Sequence, residues 1–240
     1  FVLDAGLRLL RSGRAEVLYL SLSVVVQHAH APGAPESDAF IRAVDARVGA
    51  LLDAGATVGI VADHGMTDLS LADGRPNILY LGDRLDARFG AGATRVICPI
   101  TDPFVRHHGA LGGFVRVHIL GDLDRDAVRA FLGRLPGVEL ALLREEMCRR
   151  FDQPMEREGD IAVIAGKGVA LGTHDGAHAL GDLAGARLRS HGSLAERDVP
   201  FLVSEPLDAA YQRKAATQQL HNYDIFDFVL NGTRREGIAP

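Results

Sequence analysis

The stretch Ala56-Thr57-Val58-Gly59-Ile60-Val61-Ala62-Asp63-His64-Gly65-Met66 decides the fold class. Its first seven residues are mostly small and apolar, which predicts a short buried strand that ends at an acid and an imidazole. In open α/β sheets, ligands bind at the carboxyl ends of strands, and Gly65 permits a sharp turn there. Asp63 and His64 are therefore candidate metal ligands. A plain turn, with Asp63 as a cap and His64 at the surface, remains an alternative.

The residues upstream predict a β-α-β unit around this strand. Residues 16–26 are rich in β-branched and large apolar side chains and carry no charge after Glu16, which predicts a strand buried on both faces. Between Pro35 and Gly55, apolar residues recur at helical spacing, which predicts the connecting helix. The expected fold class is therefore α/β with a parallel sheet.

Two further segments carry histidines beside predicted strands. Gln27-His28-Ala29-His30 directly follows the first strand, and His28 and His30 would share one face of an extended segment. Ser190-His191-Gly192 precedes a predicted strand at residues 199–204. Each segment could supply a metal ligand or an ordinary loop histidine. The remaining histidines have adequate interpretations as cap-surface, loop or helix-start residues: His107, His108, His118, His174, His178 and His221.

The order of predicted elements divides the chain into three parts. Residues 1–100 form the first segment of an α/β core that carries the candidate metal ligands. From about residue 101 a β-α-β-α run begins, bounded by proline and glycine on both sides, which indicates a smaller inserted α+β unit over residues 101–165. Residues 166–240 return to the core.

Composition excludes several classes of protein. The chain has 240 residues, of which 47% are hydrophobic and 24% charged, with a net charge of -5, so we expect a soluble globular protein. It lacks the long apolar run of a membrane span and the basic surface that nucleic acid requires. Its two cysteines give no disulfide framework, which favours a reducing compartment such as the cytoplasm.

Taken in order, the motifs resemble one enzyme family. Its segments here are Val26-Gln27-His28-Ala29-His30-Ala31-Pro32-Gly33, Ala62-Asp63-His64-Gly65-Met66, Pro99-Ile100-Thr101-Asp102-Pro103, His107-His108-Gly109-Ala110-Leu111-Gly112 and Leu188-Arg189-Ser190-His191-Gly192. Together they resemble the phosphonoacetate hydrolase family of the alkaline phosphatase superfamily, over nearly the whole chain. The resemblance implies an alkaline phosphatase-like sandwich with a mostly parallel central sheet and an inserted cap, incomplete at the amino end.

The resemblance also implies a site and a reaction. Enzymes of this kind carry two zinc ions and a threonine nucleophile, so Asp63 and His64 are expected to bind one zinc, and His28 and His191 the other. Paired zinc ions neutralise phosphoryl oxygens and hold attacking and leaving groups in line. The expected partner is a small phosphonate, whose carbon–phosphorus bond is hydrolysed to give acetate and phosphate. A homodimer is left open.

This sequence departs from the family pattern in ways that remove ligands. Val24 stands where the family has a zinc-binding aspartate, and an isopropyl group cannot coordinate a cation. The other ligand aspartate, the threonine nucleophile and the substrate-binding lysines are expected upstream of Phe1, and neither Lys167 nor Lys214 matches those lysines. Each zinc would keep two protein ligands, whereas a catalytic zinc normally has three. We therefore expect a truncated chain that is inactive alone.

Two other functions remain as alternatives. The first is a phosphodiesterase or nucleotide pyrophosphatase of the same superfamily, which would use the same two-zinc chemistry on a different substrate. The second is a non-catalytic domain in which Val24 marks the loss of metal binding. Zinc content separates this last alternative from the two enzymes.

Overall fold

A computed structural model describes residues 1–100, 110–183 and 185–234 of the chain. The helices are α1 (Val2–Arg11), α2 (Val25–Ala29), α3 (Pro35–Asp53), α4 (Leu81–Phe89), α5 (Arg125–Leu132), α6 (Arg144–Phe151), α7 (Ala209–Thr217) and α8 (Ile225–Asn231). The strands are β1 (Gly59–Val61), β2 (Thr67–Asp68), β3 (Ile78–Tyr80), β4 (Thr94–Ile97), β5 (Phe114–Ile119), β6 (Val138–Leu143), β7 (Ile161–Ala165), β8 (Ala170–Gly172), β9 (Arg189–Ser190) and β10 (Phe201–Val203). These elements form two compact units.

The first unit comprises Phe1–Val26, Pro32–Asp63 and the residues from Asp198 onward. Its strands β1 and β10 pair antiparallel, and α8 packs on both. The core of this unit is aromatic, because the fully buried Phe228 meets the rings of Phe201 and Tyr211 edge-on, each with its centroid 5.1 Å away. Such edge-to-face pairs stabilise a core beyond the area they bury. This unit ends its first strand two residues before Asp63.

The second unit comprises Gln27–Ala31 and His64–Arg197. It contains an antiparallel four-stranded sheet in the order β4-β5-β7-β6. Strand β7 is an uninterrupted apolar run and is buried at every residue, as expected of a strand with neighbours on both sides. Against this sheet pack the side chains of α4 and α5, including Leu85, Val128 and Leu132.

Two strand pairs connect this sheet to the histidine-bearing segments of the same unit. Strand β3 pairs parallel with β8, and β2 pairs antiparallel with β9. A second core cluster lies beside them and includes Leu69, Leu111 and Leu188. The β2–β9 pair therefore fixes the two segments that follow His64 and precede His191.

The strand predicted over residues 16–26 is wrong. Up to Val24 the segment forms no regular element, and α2 begins at Val25. The side chains of Val17 and Tyr19 are 61% and 75% exposed. A strand needs a neighbouring backbone to accept and donate its hydrogen bonds, and no strand pairs with this segment within the described residues. Its β-branched composition alone did not make it a strand.

The sheet arrangement agrees with the expected class only in part. The chain mixes helices and strands as an α/β protein does, but among the described strand pairs only β3–β8 is parallel. Strand β4 precedes residue 101 and belongs to the same sheet as β5. Residues 101–109 lie outside the described part of the chain, so the predicted limits of the inserted unit stay a prediction.

Candidate metal centre

Three imidazole rings lie together in the second unit. The ring of His191 stacks on that of His64, with centroids 3.5 Å apart and 12° between the ring planes. The ring of His28 lies 5.9 Å from that of His191, at an angle of 55°. The structure thus brings together three of the four predicted ligands. The fourth, Asp63, is exposed and belongs to the first unit.

His28 is held at its Nδ1 atom by the main chain of Arg189. It lies in α2, is buried, and its Nδ1 is 2.7 Å from the carbonyl oxygen of Arg189. A carbonyl oxygen only accepts hydrogen bonds, so Nδ1 carries the proton and Nε2 is the atom that would coordinate a metal. The Arg189 Nε in turn donates to the Gln27 carbonyl over 2.9 Å. Burial lowers the pKa of Arg189, and the nearby Asp68 opposes that effect.

His64 has the same kind of support. Its Nδ1 lies 2.8 Å from the Gly65 carbonyl oxygen, so Nε2 is again the coordinating atom. The Gly65 amide donates to the carbonyl oxygen of Glu196 over 2.6 Å. A Cβ atom at residue 65 would lie 3.3 Å from that oxygen, so a larger residue would require the Glu196 backbone to move slightly.

The loop after His191 is fixed by a buried carboxylate. The backbone amide and hydroxyl of Ser193 both donate to Glu196 Oε2 over 2.8 Å. The Gly113 amide donates to the His191 carbonyl oxygen over 2.7 Å, and a Cβ atom at residue 113 would lie 2.5 Å from the Ser193 nitrogen. The main chain on both sides of His191 is therefore held in one conformation.

The stacking of His64 on His191 restricts how these rings can bind metal. An imidazole nitrogen donates through a lone pair in the ring plane, and a zinc ion lies about 2.0–2.1 Å from that nitrogen. The two rings are stacked and nearly parallel, so they share no plane, and one ion cannot lie at bonding distance in the planes of both rings. In this arrangement His64 and His191 cannot bind the same ion, so they can serve only different ions.

The residues fit zinc in chemical type. Imidazole nitrogen is a normal zinc ligand, and a carbonyl partner on Nδ1, as at His28 and His64, is the usual support for one. The number of ligands is smaller than a complete site requires. The described residues contain no group of three or more His, Cys, Asp or Glu side chains that could hold one ion. The assignment of two ligands to each zinc stays a prediction.

The other histidines differ in what the structure shows. His107 and His108 lie outside the described residues. In β5, His118 pairs across the sheet with Arg95, and His221 stacks on Tyr223 with 4.9 Å between centroids. The Nδ1 of His174 is 2.9 Å from Asp83, and the Thr173 amide donates to His178 over 2.9 Å. His30 directly follows α2 and is half-buried.

Sequence reasoning missed two residues that support the imidazoles. For Glu196 a local signal existed, because Ser193-Leu194-Ala195-Glu196 has the Ser-x-x-Glu pattern of a capping box. For Arg189 no local pattern is informative, since its two bonds reach α2, which is distant in sequence. Only the folded chain shows that contact.

Residues 13–193 match the family model of type I phosphodiesterase / nucleotide pyrophosphatase. The chain belongs to this family. Members of it are hydrolases of the alkaline phosphatase superfamily, as the motif resemblance implied.

Solved structures give a more specific similarity. The chain is 40% identical to phosphonoacetate hydrolase from Sinorhizobium meliloti, with a TM-score of 0.85 to its complex with phosphonoformate and 0.83 to its complex with phosphonoacetate. Each match covers 96% of this chain and 55% of the other, so the chain spans about half the length of these relatives. The chain is therefore homologous to a hydrolase.

A more distant similarity concerns the fold alone. Murine ectonucleotide pyrophosphatase / phosphodiesterase 5 matches with a TM-score of 0.57 at 18% identity, over 92% of this chain and 61% of that protein. The alkaline phosphatase-like fold is thus shared by the family, while the sheet arrangement expected for this chain is not addressed by that match. None of the helices within the described residues is long and apolar enough to cross a membrane.

Proposed function

We propose that this chain carries the zinc-binding part of an enzyme that hydrolyses the carbon–phosphorus bond of phosphonoacetate to acetate and phosphate. The observation that supports it is the cluster of His28, His64 and His191, in a chain 40% identical to phosphonoacetate hydrolase. His28 and His191 hold one zinc ion, and Asp63 and His64 hold the other. The free cysteines Cys98 and Cys148 favour the cytoplasm as the compartment.

The protein holds the imidazoles of His28 and His64 through hydrogen bonds at Nδ1, which leaves Nε2 of each ring for the metal. When bound, zinc supplies positive charge that neutralises phosphoryl oxygens and activates the attacking group. The carbonyls of Arg189 and Gly65 accept from Nδ1 of His28 and His64, so Nε2 of each ring is the nitrogen left to coordinate a metal. The mostly parallel central sheet of the superfamily is part of this proposal; of the described strand pairs, β3–β8 is parallel and the others are antiparallel.

We further propose that the 240-residue chain by itself does not turn over phosphonoacetate. Each zinc has two predicted protein ligands, and a catalytic zinc normally has three together with an open position for substrate. Val24 lies directly before α2 and carries no group that coordinates metal. A zinc ion with an open coordination position can take a substrate atom there, so we expect the zinc-loaded chain to bind a phosphonate without turning it over.

The experiment compares the zinc-loaded and metal-free chain by isothermal titration with phosphonoformate, followed by an assay of phosphate release from phosphonoacetate. We expect binding only with zinc, loss of binding in His191→Ala, and no measurable phosphate release. His221→Ala is the control, because that exposed ring lies on Tyr223 in the first unit. Phosphonoformate binding that is equally tight without zinc, or that is unchanged in His191→Ala, would contradict the proposed function.

The family match supports a second candidate substrate, a phosphodiester. Titration of the same zinc-loaded chain with bis(p-nitrophenyl) phosphate tests it. Tighter binding of the diester than of phosphonoformate would indicate that the substrate is a phosphodiester and not a phosphonate. A chain that retains no zinc after dialysis would instead support the non-catalytic alternative.

A further inference from the structure

We infer that Arg189 is a positioning residue for His28: it attaches the segment Gln27–Ala31 to the second unit and fixes the His28 ring for metal binding. The metal part of this inference rests on the proposed function. The positioning part concerns the metal-free chain and is tested without metal.

The first observation is the placement of a short segment. Gln27–Ala31 is flanked on both sides by residues of the first unit, yet it belongs to the second. Two hydrogen bonds tie it to that unit through a single residue. The Arg189 carbonyl accepts from His28 Nδ1 over 2.7 Å, and the Arg189 Nε donates to the Gln27 carbonyl over 2.9 Å.

The second observation is that Arg189 is buried. Its exposed fraction is 7%, and it lies in β9 opposite Asp68 of β2. Removing a guanidinium from water is costly unless its donors find acceptors inside the protein. The Gln27 carbonyl is one such acceptor, and its peptide group joins Gln27 to His28. The buried guanidinium therefore binds the peptide group directly before the imidazole-bearing residue His28.

The side chain and the main chain of Arg189 thus contact neighbouring groups of α2, the Gln27 carbonyl and His28 Nδ1. The side chain sets the distance between α2 and β9, and that distance decides whether the Arg189 carbonyl reaches His28 Nδ1. Without the guanidinium, the Arg189 carbonyl remains but the segment loses the hydrogen bond from Arg189 Nε to the Gln27 carbonyl, which loosens the contact between the Arg189 carbonyl and His28 Nδ1. The proton of His28 then distributes between Nδ1 and Nε2, and protonated Nε2 cannot coordinate a metal. Loss of such support typically weakens metal binding about 10- to 100-fold.

The decisive experiment records the imidazole ¹⁵N resonances of His28 in the metal-free chain. We expect one Nδ1-protonated form in the wild type and a mixture of both tautomers in Arg189→Ala. Arg189→Lys keeps the charge but lacks the planar Nε donor, so we expect a smaller change in the same direction. Arg187→Ala is the matched control, because Arg187 lies two residues away and bonds to Asp68 rather than to α2.

Each outcome decides the inference. A His28 tautomer that is unchanged in Arg189→Ala overturns it, as does an equal change in Arg187→Ala. If circular dichroism shows that Arg189→Ala does not fold, an unchanged tautomer in Arg189→Lys overturns it instead. Zinc titration of the folded variants then gives the second readout, a 10- to 100-fold weaker affinity in Arg189→Ala. A wild-type chain that binds no zinc would contradict the proposed function while the tautomer result still stands or fails by itself.

Discussion

The imidazoles of His64 and His191 lie face to face, with centroids 3.5 Å apart and 12° between their planes. Because a ring nitrogen binds metal in the plane of its ring, this pair cannot share an ion, although the two rings are in contact. The division of ligands that the family resemblance implies, with His64 and His191 on different zinc ions, is compatible with this geometry. A single ion held by all three imidazoles is not.

Val24→Asp should increase the number of tightly bound zinc ions by one per chain. The added carboxylate would give the ion of His28 and His191 a third protein ligand, which is the number that a zinc site with one open position normally has. Zinc content after dialysis, measured by atomic emission, checks this. Val24→Thr has nearly the same shape without the charge and should leave the zinc content unchanged. Equal zinc content in all three chains would remove Val24 as the reason for weak binding.

Gly192→Ala should destabilise the loop after His191. Gly192 has φ of +111°, and a Cβ atom there would lie 2.7 Å from Ile100 Cδ1 and 3.1 Å from the Phe114 nitrogen. Left-handed strain together with this contact should lower the free energy of unfolding by about 1–3 kcal/mol or more. Urea denaturation measures it. Gly176→Ala is the control, because Gly176 also has a positive φ, of +78°, but open space around it. Equal losses in both variants would show that the contact is unimportant.

Acid stability should depend on Asp227 of α8. Hydrogen bonds from Lys214, Asn231 and Tyr211, in that order of effect, hold the pKa of Asp227 far below its usual value. A carboxylate with a depressed pKa stabilises the fold above its unfolded pKa of about 3.9 and loses that contribution as pH falls toward the folded value.

Between roughly pH 5 and pH 2, the free energy of unfolding of the wild type should therefore fall more steeply than that of Asp227→Asn. Urea denaturation at a series of pH values gives both slopes. Asp45→Asn, on the exposed face of α3, should keep the wild-type slope. Identical slopes in the wild type and in Asp227→Asn would show that the network around Asp227 adds nothing to acid stability.

The chain should self-associate through the first unit. Large apolar side chains are exposed there on β10 and α8, namely Leu202, Phe226 and Leu230. Exposed apolar surface of this kind favours association between copies. Sedimentation velocity should show species larger than a monomer, and the double variant Leu202→Lys/Leu230→Lys should reduce them. Leu120→Lys changes an exposed leucine of the second unit and should have little effect. A monomeric wild type with a single sharp unfolding transition would refute this.

The sequence predicted those elements whose signals lie within the residues of the element itself. The helix α3, with proline at its start and apolar residues at helical spacing, lies within the predicted range from Pro35 to Gly55. The helix α1 was missed although its signal was present, with Asp4 in the first turn and Arg8 and Arg11 in the last.

Other features depend on partners that no local pattern contains. Residues 16–26 have the composition of a strand, but a strand forms only where another backbone pairs with it. For the site, Asp63-His64-Gly65 at the end of β1 was readable from the sequence. The contact of His191 with His64 and His28 was not, because the rings come from distant segments and only the family resemblance joined them. The role of Arg189 required the folded chain.

The most direct test is a zinc titration of the chain observed through the imidazole ¹⁵N resonances of His28, His64 and His191. If the stacked rings serve different ions, the resonances of His28 and His191 will change together, and those of His64 will change in a separate phase. A single phase in which all three rings respond to one zinc ion, or a titration in which zinc affects none of them, would contradict the proposed two-ion site.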